Sequence, residues 1–244
     1  EIVPILERMT DIDKKTFGEE SPEAVSDLNN LAAIYASQGE YDKALEGYKK
    51  VLDMLEHKPV PVPSELSKGL NNLASIYSCK KDYVSSEALL KRALEINEQA
   101  AGPDSPSCAE SLNNLATVYS YQGKYDEAGI AYDEAIAINP KDAESWNGKG
   151  LVLMSQKSFD KAKKAFEKAI DLNPQSASAW YNMGNCRGSQ DKYEGALEAF
   201  EKSIELNPKD AYAWNNKGQA LRDLGRDSEA DAAFKKAEEL GYSN

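Results

Sequence analysis

Apolar residues recur along this chain at helical spacing, in segments that come two by two. Each first segment carries a large apolar residue, a small one four positions on and another large one three beyond that. Examples are Leu28, Ala32 and Tyr35; Leu112, Ala116 and Tyr119; Trp146, Gly150 and Leu153. Steps of three and four place such residues on one helical face. Gln38-Gly39, Gln122-Gly123 and Leu224-Gly225 interrupt the pattern, where glycine can end a helix in the left-handed conformation. An aromatic then opens the second segment at Tyr41, Tyr83, Tyr125, Phe159 and Tyr193, followed by small–large–small positions such as Ala162, Phe166 and Ala169. Small residues let two helices approach closely while the ring between them fills the gap. Asn-Pro at 139–140, 173–174 and 207–208 stops the second helix, because proline restricts its predecessor and cannot continue the hydrogen-bond ladder. The pattern predicts an all-α protein of antiparallel helix pairs.

The pairs repeat with a measurable period. Leu-Asn-Asn-Leu-Ala occurs at 28–32, 70–74 and 112–116, at steps of 42; Trp146, Trp180 and Trp214 stand 34 apart, and Trp146 lies 34 beyond Leu112. One register therefore runs through long units at 25–66 and 67–108 and 34-residue units at 109–142, 143–176, 177–210 and 211–244. Residues 1–24 fit as the second helix of a truncated unit: Leu6, Arg8, Ile12, Gly18, Ser21 and Pro22 match Leu90, Arg92, Ile96, Gly102, Ser105 and Pro106 at an offset of 84. Such units pack only on their neighbours, so the expectation is one continuous solenoid domain.

Trp180-x-x-Met183-Gly184, then Ala196, Phe200 and Pro208, resemble the tetratricopeptide repeat, a 34-residue helix–turn–helix with Trp, Leu-Gly, Tyr, Ala, Phe and Pro at set positions. Arg187 stands where that pattern has a large apolar or aromatic residue, and Lys149 and Lys217 replace leucine. The stretch 1–142 is similar to the 42-residue units of kinesin light chains, with longer second helices at Asp42–Glu56 and Val84–Ala100 and loops at His57–Pro63 and Gly102–Pro106. The resemblance implies a right-handed superhelix, an α-solenoid whose concave face is lined by the first helices. It also implies a scaffold or adaptor that binds a protein or peptide there.

Asparagine recurs at that wall level: Asn29 and Asn30, Asn71 and Asn72, Asn113 and Asn114, Asn147, Asn182 and Asn185, Asn215 and Asn216. It is a poor helix-interior residue, so its recurrence asks for a reason. A carboxamide has both donors and an acceptor and can grip the N–H and C=O of one extended peptide bond. Each contact contributes only about 0.5–1.5 kcal/mol net, so several rungs are needed, helped by side-chain pockets at Tyr121, Tyr181 and Tyr212 with Leu151 and Met154. Similar asparagine rows hold extended peptides in kinesin light chains and in the glycosyltransferase that adds N-acetylglucosamine to proteins. The other reading is that these amides are solvated or join adjacent first helices, and one amide can serve both uses. The family's carboxylate clamp is rejected: Asn29, Asn71 and Tyr181 occupy places where its first lysine would sit, and only Lys68 and Arg222 bring positive charge to the wall. A neutral, polar or basic peptide suits the chain better than an acidic one.

Composition narrows the classes further. Asp and Glu outnumber Lys and Arg by 41 to 29, giving a net charge of −12 without a basic stripe, so no nucleic acid and no anionic membrane surface is expected as partner. No apolar run reaches the ~18 residues of a membrane span. Cys79, Cys108 and Cys186 are odd in number and widely spaced, which fits a reducing, cytoplasmic setting. His57 and these thiols form no metal-ligand cluster, and no cofactor motif is present. Ser158-Phe-Asp-Lys161 matches SxxK by letters only, so no enzyme activity is expected. The three tryptophans are expected in the core, and Cys79 on the groove side. Glu1-Ile2-Val3 reads as the interior of a helix, as in a fragment of a longer chain. Helix pairs that lack a polar cap lead to a further expectation, self-association through the uncapped ends; a separate alternative is service as a regulatory arm of a larger enzyme.

Overall fold

The computed structural model describes residues 3–18, 21–58 and 62–243; Pro59 and Pro61 of the proline-rich loop lie outside them. Among the described residues there are thirteen α-helices and no strand. They are α1 (Val3–Phe17), α2 (Pro22–Ser37), α3 (Tyr41–Glu56), α4 (Pro63–Cys79), α5 (Tyr83–Ala101), α6 (Pro106–Tyr121), α7 (Tyr125–Ile138), α8 (Ala143–Ser155), α9 (Phe159–Leu172), α10 (Ala177–Gly188), α11 (Tyr193–Leu206), α12 (Ala211–Asp223) and α13 (Asp227–Glu239). The chain forms two compact units, Glu1–Lys124 and Tyr125–Asn244.

Within each unit, every helix packs on the next one in sequence. Alternate helices also touch: α4 meets α6 in the first unit, and α10 meets both α8 and α12 in the second. Five second helices begin at the aromatic residues that the pattern marks. The first helices of the two long repeats and of the repeat that follows them start earlier than their repeat boundaries, at Pro22, Pro63 and Pro106. Proline suits the first turn because its missing N–H would have no partner there. Ser21 and Ser105 complete two of these starts, accepting the backbone N–H of Ala24 at 3.2 Å and of Cys108 at 3.4 Å. The expected loop at Gly102–Pro106 is therefore shorter than the sequence suggests.

One turn geometry joins the helices of every pair. Its left-handed residue is Gly39, Lys81, Gly123, Lys157, Asp191 or Gly225, with φ between 57° and 77°. The N–H after it reaches back five residues in each case, as from Glu40 to Tyr35 O at 2.9 Å and from Ser158 to Leu153 O at 2.8 Å. This closure satisfies carbonyls that the helix end leaves without partners. Glycine adopts the conformation freely, whereas a residue with Cβ meets its own following carbonyl there. Lys81, Lys157 and Asp191 keep the same turn at a local cost.

Close approach within a pair depends on what faces the second helix. A Cβ at Gly150, Gly184 or Gly218 would lie 2.4, 2.5 or 2.7 Å from the ring of Phe166, Phe200 or Phe234. In the long repeats Ala32 and Ala74 hold that position, in the clusters that contain Tyr48 and Leu90.

The departures from the family pattern have partners. Lys149 and Lys217 each lie 5.5 Å over the rings of Trp146 and Trp214 and pair with Asp133 and Glu201 of the preceding helix. Arg187 crosses to α11 and donates to Gly195 O at 2.8 Å, and a Cβ on Gly195 would be 3.1 Å from its Cδ. The tryptophans are half-buried rather than core residues. Each indole N–H donates at 3.0 Å to the carbonyl of the proline six residues earlier, Pro140, Pro174 or Pro208. This bond keeps the ring's polar edge satisfied and draws it toward the repeat junction.

Candidate functional site

Amides on neighbouring first helices meet one another. In the first unit Asn72 Nδ2 of α4 donates to Asn29 Oδ1 of α2 at 3.0 Å. In the second, Asn182 Nδ2 of α10 donates to Asn147 Oδ1 of α8 at 3.0 Å. Asn216 Nδ2 of α12 donates to Asn185 Oδ1 at 2.9 Å and to Tyr181 Oη at 3.1 Å. Asn215 donates to Asn216 Oδ1 at 3.2 Å. In the three bridges between repeats the donor, Asn72, Asn182 or Asn216, is the sixth residue of its repeat, and the acceptor lies one repeat earlier. Each such bond uses one of two N–H groups on the donor and one of two acceptor sites on its partner.

Other predicted residues stand apart from these bridges. Asn30 and Asn114 are exposed, while Asn113 is half-buried. Asn71 is buried with 8% exposure. Its Nδ2 lies 3.5 Å from Ser111 Oγ, and its Oδ1 has no hydrogen-bond partner. Asn97 supports the same serine from the other side, at 3.2 Å. Tyr121 is 63% exposed and stacks on Tyr83 with ring centres 5.4 Å apart. Tyr212 is 65% exposed and meets Tyr242 edge-on at 5.5 Å, whereas half-buried Tyr181 leans on Phe200. Gly148 takes the place where other first helices carry an amide. A Cβ there would be 2.4 Å from the Tyr132 ring, so no asparagine fits.

Cavities adjoin these side chains. One of about 410 Å³ lies against α2, α3 and α4, with Asn29, Asn72 and Lys68 beside an apolar floor of Val25, Val51 and Leu55. A second, about 300 Å³, lies between α4 and α6, where Asn71, Asn72 and Asn114 meet Leu90 and Val118. Glu110 lines both. In the second unit a cavity of about 530 Å³ brings Asn185 and Asn216 to Tyr193, Phe200 and Met154. Met154 was among the residues that the sequence pattern named, but the floor residues on second helices, Val51, Leu55, Leu90 and Phe200, escaped it because the pattern pointed to first helices alone. A usable signal was Gly69, whose counterparts in other repeats are Asp27, Ser111, Ser145, Ala179 and Ala213. Gly69 lines the first cavity, and a Cβ there would come within 3.3 Å of Leu55 Cδ1 and crowd the floor.

The electrostatic landmarks lie elsewhere. Burial alone would raise the Glu87 carboxyl, but hydrogen bonds from Lys124, Lys91 and Gln122 outweigh it and hold it at about 2. Lys124 and Lys91 approach to 2.8 and 2.6 Å. Burial pushes the Cys186 thiol up, which favours an inert thiol; Cys108 is also buried, and Cys79 is exposed. Among the described residues no group of three His, Cys, Asp or Glu could hold a metal ion, and no helix is long and apolar enough to cross a membrane.

Five family models described as tetratricopeptide repeat match residues 28–57, 65–141, 113–177 with 147–190, 177–210 and 199–232. No curated protein matches the sequence. Solved structures of MamA are similar. One aligns with a TM-score of 0.59 at 26% identity, over 69% of this chain and 94% of that one. Another has a TM-score of 0.59 at 25% identity, over 72% and 92%. A MamA RS-1 ArsTM double mutant, at 21% identity with a TM-score of 0.60, shares the fold.

Proposed function

Since the chain belongs to the tetratricopeptide repeat family and is a repeat scaffold for protein–protein interaction, we propose that it binds an extended peptide along the amide-bearing sides of its first helices, without catalysis. The observation that carries this reading is the one-repeat step of the amide bridges, Asn72 to Asn29 and Asn182 to Asn147. It puts carboxamides of successive repeats within reach of one another, each with hydrogen-bonding capacity left over. An extended chain offers alternating N–H and C=O groups to such a row, so recognition reads mainly the guest's backbone. The residues assigned to binding are the bridging amides together with Asn30, Asn71, Asn113, Asn114 and Asn215, and the rings of Tyr121, Tyr181 and Tyr212.

The test uses exposed amides whose loss leaves the bridges intact. Peptides selected from a random display library are measured by fluorescence polarisation against the native chain and an Asn30→Ala, Asn114→Ala double variant. Each lost contact weakens binding about threefold to tenfold, from the net worth of a hydrogen bond. Thermal stability stays within ~1 kcal/mol, as for surface changes. Unchanged affinity in the double variant would remove the amide row from the mechanism.

A further inference from the structure

The two cavities of the first unit share Asn72 and Glu110, so they adjoin. Their linings differ. The cavity over α3 is floored by Val25, Val51 and Leu55 and is lined by Lys68 and by the Lys58–Glu65 ion pair. The cavity between α4 and α6 holds Asn71, whose Oδ1 is buried without a partner. A buried acceptor left unmatched costs about 1–3 kcal/mol, and a ligand that donates to it recovers that penalty. Beside it stands exposed Glu110, which has no ion-pair partner among the described residues. No lysine or arginine lines this second cavity.

These observations divide the labour between neighbouring positions of one guest. The geometry points to a two-part receptor in the first unit for an extended peptide that carries an apolar side chain and a lysine or arginine. The apolar side chain enters the cavity that Gly69 lines, where Lys68 opposes a base. A backbone N–H of the guest meets Asn71 Oδ1, and the basic side chain pairs with Glu110. The inference rests on the peptide-binding reading above and adds a charge preference to it. The net charge of −12 acts in the same direction at long range.

Three pools of fluorescein-labelled octapeptides provide the probe, with the remaining positions random among Ala, Ser, Thr and Gly. One pool fixes a Leu and a Lys, one a Leu and a Gln, one a Leu and a Glu. The full chain binds the Lys pool at least tenfold more tightly than the Glu pool, with the Gln pool between. Glu110→Gln removes most of the Lys preference while leaving the Gln pool unaffected, and Glu110→Lys inverts the order. Asn71→Leu, which replaces the unmatched Oδ1 and a long 3.5 Å bond to Ser111 by an apolar group of similar size, keeps the chain folded and weakens every pool about threefold or more. Equal binding of the three pools that still falls on Asn30→Ala with Asn114→Ala would overturn the charge preference and leave the amide row standing. Absence of binding by all three pools would overturn both readings.

Discussion

Helix length separates the two regions of the molecule before any side chain does. Between residues 22 and 121 the first helices run 16, 17 and 16 residues and the second helices 16 and 19. Between 143 and 239 the first helices run 13, 12 and 13 and the second helices 14, 14 and 13. The extra turns also bring a different way of closing each pair. Short repeats place no Cβ opposite a phenylalanine, so fit depends on a ring lying against bare backbone. Long repeats place alanine there, and the region from 22 to 121 adds a polar seam in which Ser86, Asn97 and Ser111 are nearly inaccessible, although Ser145 and Ser203 are as deeply buried in the other region. Ring-on-backbone contact is intolerant of added atoms, whereas a hydrogen-bonded seam is intolerant of lost partners.

That contrast can be broken at its strongest point. Gly184→Ala would force a methyl against the Phe200 ring and should cost about 3 kcal/mol, the upper end for overpacking. Ala74→Gly, its mirror in the long region, should cost about 1–2 kcal/mol through lost packing and helix propensity. Urea unfolding of both variants measures this, and equal losses would erase the distinction.

The next largest effect lies on the polar side of the comparison. The folded Glu87 carboxyl, at about 2, is below the usual carboxylate value. Its stabilisation is therefore complete above the unfolded pKa and is lost as pH falls through the folded one. Glu87→Gln should lower stability by about 1–2 kcal/mol at pH 7 and by much less near pH 2. A parallel offset between the two unfolding-versus-pH curves would count against the Lys91–Glu87–Lys124 cluster. Smaller still, Lys157→Gly should stabilise the short region by about 1 kcal/mol, and Gly39→Lys should destabilise the long one equally, since both change only the left-handed turn residue. Lys149→Leu, restoring the family residue, should shift stability by only about 0.5 kcal/mol, because a ring contact and a partly exposed ion pair are exchanged for apolar cover.

Much of this architecture was readable as spacing. Period, helix pairing and the starts of second helices at Tyr41, Tyr83, Tyr125, Phe159 and Tyr193 follow from where apolar and turn residues recur. Turn residues were only half legible, since Gly39, Gly123 and Gly225 announce themselves while Lys81, Lys157 and Asp191 adopt the same conformation against their preference. The prolines at 22, 63 and 106 read as loop because their role as first helical residues depends on what precedes them. In the candidate site, the wall asparagines were visible as a recurring letter, but their partners were not. That Asn72 meets Asn29, or that Asn71 meets Ser111 instead, is set by rotamers and by distances between repeats. The apolar floor under Asn29 was hidden for the same reason, since Val51 and Leu55 reach it from α3.

All three indoles lie in the segment Tyr125–Asn244, tied at the same place in successive repeats. Intrinsic tryptophan emission consequently reports only on that half of the protein, while far-ultraviolet circular dichroism sums over both. A denaturation experiment recorded with the two signals side by side would distinguish sequential loss of the halves from a single concerted transition, with no label introduced.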